Sequence, residues 1–289
     1  MPAPHTLVDK LQTFARYHLK RRVVDYPAPE TELDLVPLDL DLDALVSELH
    51  QRRDRYDLDV LERVRYQDRE HEILRLRSRC ADPRATLMLL VGVHGNEHAG
   101  LLALPDILDA HDDARVRLVV VAPVNPVGAA ELSRYNAQGY DINRDFVRFD
   151  TPEARAVRRA VDEDRPDFVL SLHEGPQDAT FVFSNRLVSP QLAARLVEAL
   201  ARGGTTLASH DYFGRRLEPA GHSPVAGQMY LLSLLWAKLL HMETSALWCE
   251  QRGIPELTLE SSWRQRDRAA RLRPHVDLVR AIVAELATS

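Results

Sequence analysis

The stretch Ala85-Thr-Leu-Met-Leu-Leu-Val-Gly-Val93, followed at once by His94-Gly95-Asn96-Glu97-His98, decides how the chain is read. A continuous apolar run closed by glycine, with leucines following at 101, 104 and 108, is the pattern of a buried strand feeding a helix. The unit recurs downstream as VRLVVVAPV (116–124), a long polar loop, a helix opening at Thr151-Pro152-Glu153, and then DFVLSLHE (167–174). PELTLESS (255–262) is a further short buried strand. Val276, Val279, Val283 and Leu286 form the apolar stripe of a closing helix with Pro274 at its start. On the other side, LDVLERVRY (58–66) and HEILRLRSR (71–79) alternate apolar with charged residues across the polar QDRE, which predicts an antiparallel hairpin. The expected fold is therefore α/β: a mixed, mostly parallel sheet of about eight strands between helices, with the hairpin at one edge.

Residues 1–55 read as an N-terminal helical extension and 56–289 as the main domain. The extension holds two short helices, Leu7 to Leu19 and Leu42 to Gln51, separated by Pro27, Pro29 and an acidic, leucine-rich stretch. Asp39, Asp41 and Asp43 alternate as in a calcium loop, but the turn glycine and the distal glutamate are missing, so they read as a solvated face.

Composition narrows the function. The chain has 289 residues, 45% hydrophobic and 28% charged, with a formal net charge of −6, and its only basic block is Lys20-Arg21-Arg22. That balance lacks the electrostatic footprint of nucleic-acid binding. No window approaches the roughly 18 to 20 unbroken apolar residues of a membrane span, and the first residues lack the apolar segment of a secretory signal, so a cytoplasmic location without membrane contact is expected. Cys80 and Cys249 offer no CxxC spacing, so a metal would have to sit on histidine and carboxylate. Neither GxGxxG, GxSxG nor GxxxxGK[ST] occurs.

In an open α/β sheet the loops leaving the carboxyl ends of the strands converge on one crevice. Three of the predicted strands end in candidate groups: the first in His94 and Glu97, the second in His173, the third in Glu260. Two imidazoles and a carboxylate would give zinc three protein ligands and leave a fourth position open, with Glu260 available as a base. A rival reading takes His94-Gly-Asn-Glu97-His98 as HxxEH, both histidines binding zinc from one helix face. Gly95 and Asn96 directly after a strand read as a turn, which disfavours that geometry and leaves His98 as the start of the helix.

Between the ligand strands stand Asn125-Pro126-Val127-Gly128, then Arg134, then Gly139-Tyr-Asp141-Ile-Asn143-Arg144-Asp145-Phe146. With HxxE, these elements make the chain resemble, from about Leu58 onward, the zinc metallocarboxypeptidases of the carboxypeptidase A type, whose members read HxxE, NPDG, an arginine, GxDxNRxF, a histidine and a strand-end glutamate. The resemblance implies one zinc per chain on His94, Glu97 and His173. Glu260 would be the general base for metal-activated water and would protonate the leaving amine. Asn143 and Arg144 would hold the substrate's terminal carboxylate, and Arg134 would polarise the scissile carbonyl. Val127 departs from the usual aspartate of NPDG and Asp145 follows the Asn-Arg pair where animal members often have asparagine; for the mobile tyrosine of that family Tyr212 and Tyr230 are the candidates. HGNE also looks like the succinylglutamate desuccinylase and aspartoacylase branch, which generally carries a further β-rich domain after the catalytic glutamate. Only 29 residues follow Glu260 here, so the expectation is a carboxypeptidase acting on peptide with a free carboxylate, with an N-acyl amino acid deacylase and a non-catalytic zinc protein binding carboxylate ligands as alternatives.

Overall fold

The computed structural model describes residues 34–211 and 214–288, together with Ala15 and Arg22. The helix expected at Leu7 to Leu19 and the candidate Tyr212 lie outside the described residues.

Among the described residues, eight strands form one sheet in the order β1-β2-β4-β3-β5-β8-β6-β7. They are β1 (Tyr56–Tyr66), β2 (Arg69–Ser78), β3 (Ala85–Val91), β4 (Val116–Ala122), β5 (Phe168–Gly175), β6 (Phe181–Ser184), β7 (His222–Pro224) and β8 (Glu256–Ser262). The hairpin stands at the edge where the alternation put it, turning through Gln67 and Asp68, and β2 pairs antiparallel with β4. β4, β3, β5 and β8 then run parallel through the centre, every residue of β3 and β5 buried. A third antiparallel pairing, β6 on β8 at the far side of the sheet, was not expected from the sequence. Only residues 176–180 separate β5 from β6, too few for the crossover a parallel neighbour requires.

Helices cover both faces. On one, α1 (Leu42–Gln51), α2 (His98–Ala110), α5 (Pro190–Arg202) and α8 (Arg268–Leu286) share a core with the inward residues of the sheet. On the other, α3 (Pro126–Glu131), α4 (Pro152–Asp164) and α7 (Ser245–Gln251) pack with Met88, Leu90, Val119 and Val121. α6 (Gln228–Leu240) buries only Ala237 and leaves Leu231, Leu235 and Leu239 exposed. α1 spans the expected residues, capped by the Asp41 side chain on Ala44 N–H, and sinks Leu42, Leu45 and Leu49 into the main core. Thr151 caps α4 with Pro152 in its first turn.

The closing helix corrects the expectation that Pro274 starts it. α8 begins six residues earlier, where the Asp267 side chain accepts from the Ala269 and Ala270 N–H groups. Pro274 sits inside the helix, and the early turn is anchored by buried Arg271.

Candidate metal centre

The parallel strands β3, β5 and β8 are adjacent, so their carboxyl ends deliver side chains to one place. After β3 the chain turns through Gly95 and Asn96 so that His94 and Glu97 point back together. The turn fits only because Gly95 lacks a side chain: a Cβ there would lie 1.9 Å from the Gly128 carbonyl carbon. Gly128 lies in the first turn of α3, where Asn125 caps the helix by accepting from the Gly128 N–H at 2.9 Å. The two glycine-bearing motifs thus interlock at the floor of the site. Val127 is buried in the apolar core beneath it rather than in the site.

His94 Nδ1 lies 2.7 Å from Glu97 Oε1, His173 Nδ1 lies 2.7 Å from Glu97 Oε2, and the two Nδ1 atoms are 3.1 Å apart. All three side chains are buried. Zinc with nitrogen and oxygen ligands at about 2.0–2.1 Å would hold tetrahedral neighbours about 3.3 Å apart, so a small spreading of these donors accommodates it. The donor set, two imidazoles and one carboxylate, suits zinc as it suits other divalent transition-metal ions. Residues and spacing fit the ion. His98 does not join them: its nitrogens lie 3.2 Å from the carbonyl oxygens of Leu38 and Ala129, and it opens α2. The cluster of potential ligands is therefore His94, Glu97 and His173, with His98 outside it.

Asp141, visible in the sequence only as part of the GxDxNRxF motif, links the site's charges. Its Oδ2 accepts from Arg134 Nε at 3.0 Å and Nη2 at 2.9 Å, and its Oδ1 lies 3.3 Å from His94 Nε2, the ring nitrogen facing away from Glu97. Burial alone would raise the Asp141 carboxyl, but the Arg134 and Arg144 guanidinium groups and His94 hold it well below the usual range. A carboxylate behind a ligating imidazole fixes its tautomer and orientation. Arg134 presents Nη1 to the cluster, 3.3 Å from His94 Nδ1 and 3.8 Å from Glu97 Oε1.

Glu260 is the register partner of His173 on β8. Burial first, and then the charge of Glu97, push its carboxyl well above the ordinary range. Asn143 accepts from the Ser245 N–H at 3.0 Å, which ties its turn to the start of α7, and Arg144 Nη1 donates to Asn143 O at 2.7 Å. Asp145 faces away and accepts from Thr151 N and Oγ1, bracing the head of α4. A cavity of about 830 Å³ is lined by His94, Glu97, Arg134, Asn143, Arg144 and Glu260, and extends to Met229, Tyr230 and Trp236 of α6. Tyr230 reaches this wall with the Arg186 guanidinium stacked 3.6 Å from its ring centre.

The fold is similar to that of solved proteins named as metallopeptidases, metallo-carboxypeptidases and a related deacylase. A protein of Shewanella denitrificans OS217, provisionally named a metallopeptidase, superposes with a TM-score of 0.68 at 20% identity over 90% of this chain and 100% of its own. A metallo-carboxypeptidase of Pseudomonas aeruginosa, in complex with (2-guanidinoethylmercapto)succinic acid, gives 0.59 at 20% over 88% and 71%. A succinylglutamate desuccinylase/aspartoacylase of Rhodobacter sphaeroides gives 0.54 at 18% over 88% and 68%. In sequence, residues 68–161 match the family described as "Protein of unknown function (DUF2817)". "Probable carboxypeptidase 2" of Arthroderma benhamiae is 33% identical over 99 residues, 31% of this chain; the match spans about a fifth of that relative, 19%.

Proposed function

We propose that the chain is a zinc-dependent carboxypeptidase that hydrolyses the C-terminal amide bond of a peptide. The observation that carries this reading is that His94 and Glu97 of the His94–Glu97–His173 cluster line one cavity together with Glu260 and the Asn143–Arg144 pair. Names and folds of the likenesses above support a hydrolytic metalloenzyme acting on carboxylate-bearing substrates.

His94, Glu97 and His173 would hold one zinc ion, which when bound polarises water and a carbonyl and brings the pKa of water towards neutrality. Arg144, with Asn143 beside it, offers the planar fork suited to a substrate's terminal carboxylate and so sets which amide bond lies at the centre. Glu260 takes the proton from the attacking water and returns it to the departing amine. Arg134, its charge balanced by Asp141, places a fixed cation where negative charge develops on the carbonyl oxygen. Burial of these side chains, Asn143 alone being half-buried, keeps the interactions in a low-dielectric setting, where each counts for more than in water.

The alternative is an N-acyl amino acid deacylase, which would use the same zinc ligands and base but close over a small acyl group. The cavity's volume of about 830 Å³, more than a small acyl group fills, favours peptide. One zinc-loaded preparation assayed on dipeptides and longer peptides, on their C-terminal amides, and on N-acetyl-aspartate and N-succinyl-glutamate separates the readings, with Glu260→Gln as blank. Release of C-terminal residues from free-acid peptides is expected. Efficient deacylation with no residue released from any peptide would replace this reading by the deacylase. Zinc binding with no turnover on either panel would leave a binding protein.

A further inference from the structure

Glu174 follows the candidate ligand His173 in β5, and alternation along a strand sends the two side chains to opposite faces. On the face covered by α2 and α8, Glu174 meets Arg271; both side chains are 0% exposed. Arg271 Nε donates to Glu174 Oε1, Nη2 donates to Oε2 at 3.1 Å, and Nη1 donates to the Val36 carbonyl. Glu174 Oε2 also accepts from the Ala99 N–H at 2.9 Å.

Ala99 is the second residue of α2, whose cap position is Glu97. A cap residue usually turns its side chain onto the first N–H groups of its helix. Glu97 makes no such bond, because its two carboxylate oxygens face His94 and His173. Glu174 supplies the missing acceptor from across the sheet. In the same place its backbone N–H donates to Glu97 Oε2 at 3.2 Å. Glu97 is thus held twice by one residue, through its carboxylate and through the helix that it begins. A fully buried ion pair is a poor stabiliser, since apolar replacements are often neutral or better. As an anchor it has a reason: the guanidinium fork fixes both Glu174 oxygens and leaves Oε2 aimed at Ala99.

We infer that the Glu174–Arg271 pair is a positioning device for Glu97 that sets how tightly this chain binds its metal, an inference that rests on the zinc reading proposed above. Two variants test it. Glu174→Asp keeps the charge but is one methylene too short to meet Arg271 and Ala99 together. Glu174→Gln/Arg271→Met removes both charges at similar volume. Zinc dissociation constants of the apo chains are measured by competition with a chromophoric chelator, beside their far-ultraviolet circular dichroism and thermal midpoints. Both variants are expected to stay folded and to bind zinc about 10- to 100-fold more weakly than wild type. Wild-type zinc affinity in either folded variant, whatever its thermal midpoint, would overturn the inference and make the pair merely structural. Failure of both to fold would overturn it too, by assigning the pair to folding. A wild-type chain that binds no zinc would instead defeat the metal reading, and this inference with it.

Discussion

The Nδ1 atoms of His94 and His173 face one another across 3.1 Å, and Glu97 reaches both, one oxygen to each at 2.7 Å. Two imidazoles each donating a proton to Glu97 would point two N–H groups into the same small space. A shared cation between three unprotonated donors resolves the conflict. His94→Ala or His173→Ala should therefore lose most of the zinc, whereas His98→Ala, whose ring sits between the Leu38 and Ala129 carbonyls, should keep it. Metal analysis of the three purified variants decides this. Zinc lost from His98→Ala and retained by His173→Ala would put the metal elsewhere.

Glu260→Gln conserves shape beside His173 but cannot accept a proton. Zinc content and circular dichroism should match wild type while kcat falls by about 10² to 10⁴. Turnover near the wild-type value would remove Glu260 from the reaction.

Arg144→Lys replaces a planar fork by a point charge. Loss of a charge-assisted pair is worth about 1.5 to 3 kcal/mol, or roughly 10- to 150-fold in kcat/KM on free-acid peptides. Amidating the peptide should cost the wild type a comparable factor and the variant little. Equal rates on acid and amide in the wild type would make Arg144 structural, through its contacts around Asn143.

How much of this was legible follows from element length and from what each residue contacts. The runs at 85–93 and 167–174 and the alternation at 58–79 are long enough for their periods to speak, and all three appear as strands close to the expected bounds. β6 has four residues and β7 three, too short for any period, and α6 is apolar nearly all round, so no face stands out. The structure brings His94, Glu97, Glu260, Asn143, Arg144 and Arg134 to the wall of one cavity and sets His173 against His94 and Glu97, because the motif order follows strand ends that the topology makes adjacent. Asp141 was visible inside GxDxNRxF, yet only the fold reveals that it braces both Arg134 and His94. The start of α8 was not legible at all. No period or motif marks Arg271, and the fold brings Glu174, 97 positions earlier, against it.

Glu256, at the start of β8, gives a prediction independent of the site. It is fully buried, accepting from Thr258 Oγ1 at 2.9 Å. Burial, only partly offset by that hydrogen bond, pushes its carboxyl up to about 7. As pH rises, the folded chain therefore keeps a proton there that the unfolded chain, with an ordinary glutamate near about 4.3, has already released. The sign follows from linkage: Glu256 favours folding below the unfolded value, and that contribution is lost as pH rises through about 7. Glu256→Gln mimics the protonated form at every pH. The stability of the variant relative to wild type should therefore rise by about 2 to 3 kcal/mol between pH 5 and pH 8, since each tenfold difference in proton affinity between the folded and unfolded chain is worth about 1.4 kcal/mol. Thermal midpoints of both apo proteins at the two pH values measure this, because effects of other titrating groups cancel in the difference between them. An equal offset at pH 5 and pH 8 would mean that Glu256 stays charged in the fold, with water or a neighbour solvating it.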